Sequence, residues 1–145
     1  MKEFIYLTCP FTTLVFCQLI KFVTESWMAG ELKWGRLFNG SGGMPSSHTS
    51  FTFSLTTLIG LKIGFETPLF ALALVFSIIV GYDAMGLRRE SGKQAAAINQ
   101  IFDEVFSKDS ESGMFHLKEQ VGHKPLEVFM GALLGISMAL LFSHI

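Results

Sequence analysis

The chain has 145 residues, half of them hydrophobic, with 15 phenylalanines and a formal net charge of −1 at pH 7. The apolar residues occur in long runs that a water-soluble domain of this length could not bury, so the composition favours a membrane protein and argues against a soluble one. A net charge this close to zero gives no indication of a nucleic acid partner.

The succession of apolar segments predicts an all-α protein: a polytopic membrane helical bundle with about four transmembrane helices and one amphipathic interfacial helix. A spanning helix needs about 20 apolar residues, and the second and third segments are close to the shortest workable length. The second is also rich in Thr and Ser. We expect residues 1–145 to form a single membrane domain. The predicted spans are approximately 4–23, 49–65, 68–85 and 125–145.

The first apolar segment is predicted to be a retained helix rather than a signal peptide. Residues 1–3 are hardly basic, and no small-x-small cleavage pattern follows the segment at the usual distance. The loop after it contains Trp27 and Trp34 beside charged residues, as is typical of aromatic anchors in the headgroup layer. Lys33 and Arg36 in the same loop are candidate phosphate-binding cations.

A glycine-rich segment, residues 42–48 (GGMPSSH), closes this loop at the start of the second span. Glycines let backbone N–H groups turn toward one point, serine hydroxyls add donors, and proline favours a helix start whose dipole attracts anions. The pattern indicates a phosphate site with Gly43, Ser46 and Ser47 as ligands, although for Ser46 alone helix capping is the stronger interpretation. His48 stands where it could deliver a proton.

The second long loop begins just after Asp83, at the end of the third span. Arg88 and Arg89 are predicted either to bind phosphate or to act as topological anchors. Because an unpaired Asp83 would be costly in the membrane, we expect it to pair with one of them or with Arg36. Residues 98–106 then show apolar side chains at helical spacing. They predict an amphipathic helix that either lies on the membrane or over the bundle mouth, or packs without a role in substrate access.

This loop ends at residues 122–125 (GHKP), which echo the first motif at the mouth of the last span. Glu127 follows His123 by four residues, one helical turn on, so its carboxylate can accept a hydrogen bond from the imidazole and fix the tautomer. That arrangement is expected of a nucleophilic histidine.

With four spans, both long loops lie at one membrane face, so the segments around His48, Arg88 and His123 can converge there. Two imidazoles, fixed cations and a helix N-terminus can support phosphoryl transfer without a metal: one imidazole attacks phosphorus and the other protonates the leaving oxygen. Helix capping is the structural alternative for the serines and histidines. A proton-coupled transporter is another alternative, but transporters place ionisable residues near the midplane, and these lie at helix ends.

Basic residues are concentrated on one side of the predicted bundle. By the positive-inside rule, loops 21–48 and 86–124 are predicted to be cytoplasmic, with both termini outside the cell membrane. The other side holds only Lys2 and Lys62. The basic residues of the long loops are Lys21, Lys33, Arg36, Arg88, Arg89, Lys93, Lys108, Lys118 and Lys124.

In this order, the motifs GGMPSSH, YDAMGLRR and GHKPLEV resemble those of the type 2 phosphatidic acid phosphatase and vanadium haloperoxidase superfamily, and more closely its small divergent bacterial-and-plant branch. The resemblance implies that His123 is the nucleophile, His48 the general acid and Glu127 the orienting carboxylate. It implies a membrane phosphatase of the acid-phosphatase type acting on a lipid phosphate monoester or pyrophosphate. The alternative is a catalytically degenerate relative that binds phospholipid headgroups or protein partners without turnover. We expect no cofactor, no metal and no nucleic acid partner.

The chain departs from the larger family at three points. Ser47 stands where that family has glycine, and no Arg-Pro element is present. Leu117 occupies the position six residues before His123 where an arginine is expected. Arg88 or Arg89 could substitute for that arginine from upstream.

Overall fold

The computed structural model describes residues 4–32, 34, 43–106, 117 and 122–144, the side chains of 87–89, 105 and 106 excepted. These residues are almost entirely helical, and no strand occurs among them. The helices in these ranges are α1 (Ile5–Ala29), α2 (Ser47–Lys62), α3 (Pro68–Met85), α4 (Leu87–Phe106) and α5 (Pro125–Ser143).

Three helical stretches of the described chain are long and apolar enough to cross a membrane: Ile5–Ala29, Pro68–Glu104 and Pro125–Ser143. The middle stretch runs from α3 into α4. α2 has 16 residues, and at 1.5 Å per residue it is about 24 Å long, shorter than a hydrocarbon core of roughly 30 Å. The prediction of a polytopic helical membrane bundle is confirmed.

Hydroxyl caps fix the starts of α2 and α3. The side chain of Ser46 accepts a hydrogen bond from the backbone N–H of Thr49, and Thr67 accepts one from the N–H of Phe70. Both capping residues have extended backbone angles, so the helix begins at the next residue. In α3 that residue is Pro68, which lacks an N–H and is well tolerated at this position.

α1 is longer than the span predicted from hydropathy. It continues to Ala29 and ends at Gly30, whose φ of 67° is the left-handed conformation that closes many helices. Lys21, which the sequence analysis assigned to a loop, therefore lies inside a helix with its side chain among its neighbours.

α2 lies at the centre of the bundle and packs against α1, α3 and α5, whereas α1 and α3 do not approach each other closely within the described ranges. Its closest packing is against α5. A Cβ atom added at Gly131 would lie 2.5 Å from the Ser46 carbonyl oxygen, and one at Gly135 would lie 2.5 Å from the Ser50 carbonyl oxygen. Glycine at these positions lets the two backbones approach directly, as small residues do in membrane bundles.

Four hydroxyl groups of α2 donate hydrogen bonds inside the bundle. Ser50, Thr52 and Ser54 donate hydrogen bonds to carbonyls three or four residues earlier in the same helix. Thr56 reaches α3, where its hydroxyl lies 2.8 Å from that of Ser77 and 3.1 Å from the Ala73 carbonyl. α2 is therefore an interior helix despite its modest hydropathy, because these four hydroxyls find acceptors without water.

α4 begins one residue after α3 ends and presents two different faces. Ile98 and Ile101 are exposed, whereas Ala95 and Asn99 are buried. The Asn99 amide binds the backbone of Leu117 twice, at 2.8 and 2.9 Å. The amphipathic helix thus extends over the whole of Leu87–Phe106, and its buried ridge holds the chain at Leu117.

Candidate functional site

Backbone hydrogen bonds join the predicted segments at one end of the bundle. The N–H of Ser46 donates to the carbonyl of Glu127 at 2.8 Å, and the N–H of His123 donates to the carbonyl of Ala84 at 2.9 Å. The N-terminal ends of α2 and α5 and the C-terminal end of α3 therefore meet. The two histidine motifs lie side by side at this junction.

The imidazoles of His48 and His123 lie edge to face there. Their ring centroids lie 6.5 Å apart with an interplanar angle of 84°. His123 is 3% exposed, whereas His48, in the first turn of α2, is exposed. Both ring nitrogens of His123 are buried, so the pair combines an interior imidazole with one that is open to solvent.

Lys21 brings a cation into the same junction. Its side chain is 1% exposed, and its ammonium donates to the hydroxyl of Ser47 at 3.4 Å. One turn earlier, the thiol of Cys17 donates to the carbonyl of Pro45 at 3.4 Å. α1 thus contacts the glycine-rich segment through two successive turns and places a positive charge beside the N-terminus of α2.

Lys21 was not predicted as a site residue, because it stands where the first apolar run ends, among cations assigned to a loop. A signal was present. Cys9, Thr13 and Cys17 are small residues spaced four apart, and all three are buried on one stripe of α1. Lys21 is the next member of this series, so the spacing points its side chain into the bundle.

Ser46 acts as a helix cap rather than as an exposed phosphate ligand. It is fully buried, and its hydroxyl oxygen accepts hydrogen bonds from the Thr49 N–H at 3.5 Å and the Thr49 hydroxyl at 3.0 Å. The capping interpretation is the one that this geometry supports. Ser47, by contrast, is directed at Lys21 and remains part of the candidate site.

The predicted contact between Glu127 and His123 is not formed, which corrects the sequence analysis. The Glu127 carboxylate accepts a hydrogen bond from the backbone N–H of Lys124 at 3.1 Å and so caps α5. The physical reason is the position of Pro125, which starts the helix after an extended Lys124. His123 therefore lies outside the helix, and a spacing of four residues does not bring it onto the same face as Glu127.

Two glycines shape the turns that carry the histidines. Gly43 has a φ of 81° and Gly122 has a φ of 103°. These values lie in the region that side chains with a Cβ rarely adopt, so each turn depends on glycine. Gly43 directly precedes Met44, whose peptide bond to Pro45 is cis. Gly122 directly precedes the buried His123.

Of the remaining predicted site residues, the structure describes Asp83 in full and only the backbones of Arg88 and Arg89. Asp83 lies half-buried in the last turn of α3. The backbones of Arg88 and Arg89 belong to the first turn of α4, on the same side of the bundle as the histidines, and their side chains lie outside the described set. Lys33 and Arg36 also fall outside the described residues.

A cavity of about 460 Å³ opens next to the exposed histidine. It is bounded by Ser47, His48 and Gln18 at its polar end, and by apolar side chains of α1, α2 and α3 elsewhere. The Oε1 atom of Gln18 is buried and accepts no hydrogen bond from the described residues. The candidate site therefore continues into an apolar space within the bundle.

Comparison with known proteins agrees with the motif pattern. The model of the Divergent PAP2 family matches residues 3–138. The chain is similar to the "Uncharacterized membrane protein YuiD" of Bacillus subtilis (strain 168), with 34% identity over 144 residues that cover 90% of this chain and 89% of that protein. No solved structure gives a significant match. Because the family match extends over nearly the whole chain and includes both histidine motifs, this membrane protein belongs to the divergent PAP2 family.

Proposed function

We propose that the protein is a phosphatase that hydrolyses a phosphate monoester or pyrophosphate of a membrane lipid by way of a phosphohistidine. The observation that carries this proposal is the pairing of His48 and His123, 6.5 Å apart, beside the buried ammonium of Lys21. A nucleophile, a proton donor and a fixed cation are the groups that phosphoryl transfer needs.

In the first step a nitrogen of His123 attacks phosphorus, the N–P bond forms and the P–O bond to the leaving group breaks. His48 gives its proton to the departing oxygen. In the second step His48 takes a proton from water, the resulting hydroxide attacks phosphorus, and the N–P bond breaks to release phosphate. The exposure of His48 supports its role, since both the leaving group and water reach the site from the open side.

Charge on the transferring group is met by the N-terminus of α2 and by Lys21. The first backbone N–H groups of a helix have no partner within the helix, and the helix dipole adds positive potential there. Lys21 is held against Ser47 at this same terminus. The buried position strengthens its interaction with a phosphate because little water screens the pair.

The lipid nature of the substrate is supported by the depth of the site. The histidines lie at helix ends of a membrane bundle, where headgroups are found. Trp27, near the C-terminal end of α1, and Trp34 just beyond it are 84% and 63% exposed. Aromatic side chains exposed at this level suit the boundary between hydrocarbon and water.

One observation favours the alternative of a protein that binds phospholipid headgroups without turnover. The carboxylate expected to orient His123 instead caps α5, so the site departs from the arrangement implied by the wider superfamily. The binding-only protein would keep Lys21 and the α2 N-terminus as anion ligands but would not transfer the phosphoryl group.

Phosphate release by the purified protein distinguishes the two. The panel contains phosphatidic acid, a single-chain glycerol phosphate and a prenyl diphosphate, each tested with wild type, His123→Ala and His144→Ala. His144 is the matched control because it lies exposed at the opposite end of α5. We expect turnover by wild type and His144→Ala and none by His123→Ala. A folded wild-type protein that binds these lipids but releases no phosphate would establish the binding-only function.

A further inference from the structure

The described parts of α1 and α3 leave a lateral opening between them on one side of the bundle. Both helices pack on α2, yet they do not approach each other within the described ranges. The cavity of about 460 Å³ beside His48 lies in this opening. A second cavity of about 360 Å³ continues it between α2 and α3, and its lining residues all belong to these two helices. They share Phe51, Thr52 and Phe76, so they form one groove along α2, which we call the α2 groove.

The side chains that line the α2 groove are mainly apolar, except at one end, where they are polar. Leu14 of α1, Leu55 and Ile59 of α2, and Leu69 and Leu72 of α3 line its walls. The hydroxyls that border it are already hydrogen-bonded within the bundle, as the bonds of Thr52 and Thr56 show, so they demand no water. A hydrocarbon chain is the kind of molecule that such a surface accommodates.

The polar end of the groove is the candidate phosphate site itself. His48 and Ser47 belong to both. Gln18 stands beside them with a buried acceptor that receives no hydrogen bond from the described residues. An unsatisfied buried acceptor is costly, and a P–OH or other hydroxyl of a bound phosphate ester would supply the missing donor.

The length of the groove corresponds to one leaflet of a bilayer. It runs along α2 from His48 to Ile59, a distance of about 16 Å at 1.5 Å per residue. Half of a hydrocarbon core of roughly 30 Å is about 15 Å. A lipid tail whose phosphate lies at the histidines would therefore extend along α2 toward Ile59 and Leu69, which line the far part of the groove.

We propose that the α2 groove binds one hydrocarbon chain of the lipid phosphate, which enters sideways from the bilayer between α1 and α3. The inference rests on the proposed function for the position of the phosphate. The groove then selects substrates by the length of a single chain, and a second chain, where the lipid has one, stays in the surrounding bilayer.

The test uses alkyl phosphates of four to ten carbons, kept monomeric in water. For wild type, kcat/KM should rise about fourfold per added methylene, equivalent to ~0.8 kcal/mol for each CH₂ buried. Ala73→Phe places a ring in the middle of the groove, since Ala73 lines it. This variant should hydrolyse the four-carbon ester like wild type but gain nothing from longer chains. Ala71→Phe, on the exposed outer face of α3, is the matched control and should keep the dependence.

A binding measurement separates failure of the groove from failure of the catalytic proposal. A decylphosphonate with a photoreactive group at its far end cannot be hydrolysed, and on irradiation it should label the peptide around Ile59 and Leu69 in wild type and in Ala71→Phe but not in Ala73→Phe. Labelling there without hydrolysis of any ester would support binding of a hydrocarbon chain in the α2 groove and refute the phosphatase function. Hydrolysis that is independent of chain length, or labelling spread over all lipid-facing helices, would refute the groove.

Discussion

An ammonium group that is 1% exposed, as in Lys21, carries a desolvation cost that only nearby polar groups or anions can offset. Ser47 supplies part of that compensation, and a bound phosphate would supply a full opposite charge. Lys21 is therefore expected to lower the stability of the folded state and, in the proposed mechanism, to stabilise the bound phosphate.

Lys21→Met should separate these two effects. Met keeps the length of the side chain and removes the charge, so we expect a fall in kcat/KM of about 100-fold or more, as for loss of one donor that stabilises transition-state charge. The melting temperature in detergent should be unchanged or higher, because the desolvation cost disappears. Lys62→Met, on the exposed end of α2, serves as the control. Activity near wild type in Lys21→Met would remove Lys21 from the mechanism.

Glu127 offers a test of capping against catalysis. Glu127→Gln retains an oxygen acceptor for the Lys124 N–H, so it should leave both stability and turnover nearly unchanged. Glu127→Ala loses the acceptor and should lower the free energy of unfolding by about 0.5–1 kcal/mol. Turnover and thermal unfolding of both variants are measured side by side. If Glu127→Gln alone abolished turnover, the carboxylate would orient a catalytic histidine during the reaction, as the spacing of the two residues predicts.

At the scale of the elements, the packing of α2 on α5 determines where the site lies. Gly131 leaves room for the carbonyl of Ser46, the residue that caps α2. The same stretch of α5 begins just after His123. Close packing of these two helices is thus what holds the two histidine motifs together.

Gly131→Ala should disturb both stability and the site. The added Cβ would lie 2.5 Å from the Ser46 carbonyl oxygen, so the backbones must separate, at a cost of about 1–3 kcal/mol. Gly81→Ala is the matched control in α3, because its Cβ would make an ordinary 3.4 Å contact with Val128 and alanine is the better helix former. Thermal unfolding and phosphate release are compared. Equal behaviour of the two variants would show that the α2–α5 contact is not the constraint described above.

The helices, and the location of both histidines at one membrane face, could be predicted from the sequence. Long apolar runs predicted the helices, and an even number of crossings between residues 48 and 123 predicted that the two histidines share a face. The central position of α2 could not be read from hydropathy, because its hydroxyls satisfy each other and the helix carbonyls. The contact between Glu127 and His123 could not be predicted correctly, because Pro125 starts α5 after His123 and the spacing rule assumed one continuous helix.

At the scale of the whole molecule, the two ends of the bundle differ. One end carries the histidines, the start of α4 and the buried Lys21, and the other carries the short turn between α2 and α3. The excess of basic residues in the long loops predicts that the first end faces the cytoplasm. For the proposed phosphatase, this orientation would decide whether the lipid substrate comes from the inner or the outer leaflet.

Cysteine labelling tests this orientation. Gln94→Cys on exposed α4 and Glu66→Cys in the α2–α3 turn lie at opposite ends of the bundle, and both are made after replacing the buried Cys9 and Cys17. A membrane-impermeant maleimide should label Glu66→Cys in intact cells and Gln94→Cys only after the cells are opened. The reverse pattern would place the histidines on the outside.

For the proposed phosphatase, substrate entry through the lateral opening between α1 and α3 would also determine which variables its rate depends on. A site that is entered from the bilayer samples a two-dimensional solution, so its substrate concentration is a mole fraction and not a molarity. Adding more vesicles of the same composition would leave the rate per enzyme unchanged, whereas diluting the lipid phosphate with neutral lipid inside the same vesicles would slow it. The protein would therefore sense the make-up of its own membrane, and its turnover would report how far that membrane is enriched in the phosphate that it removes.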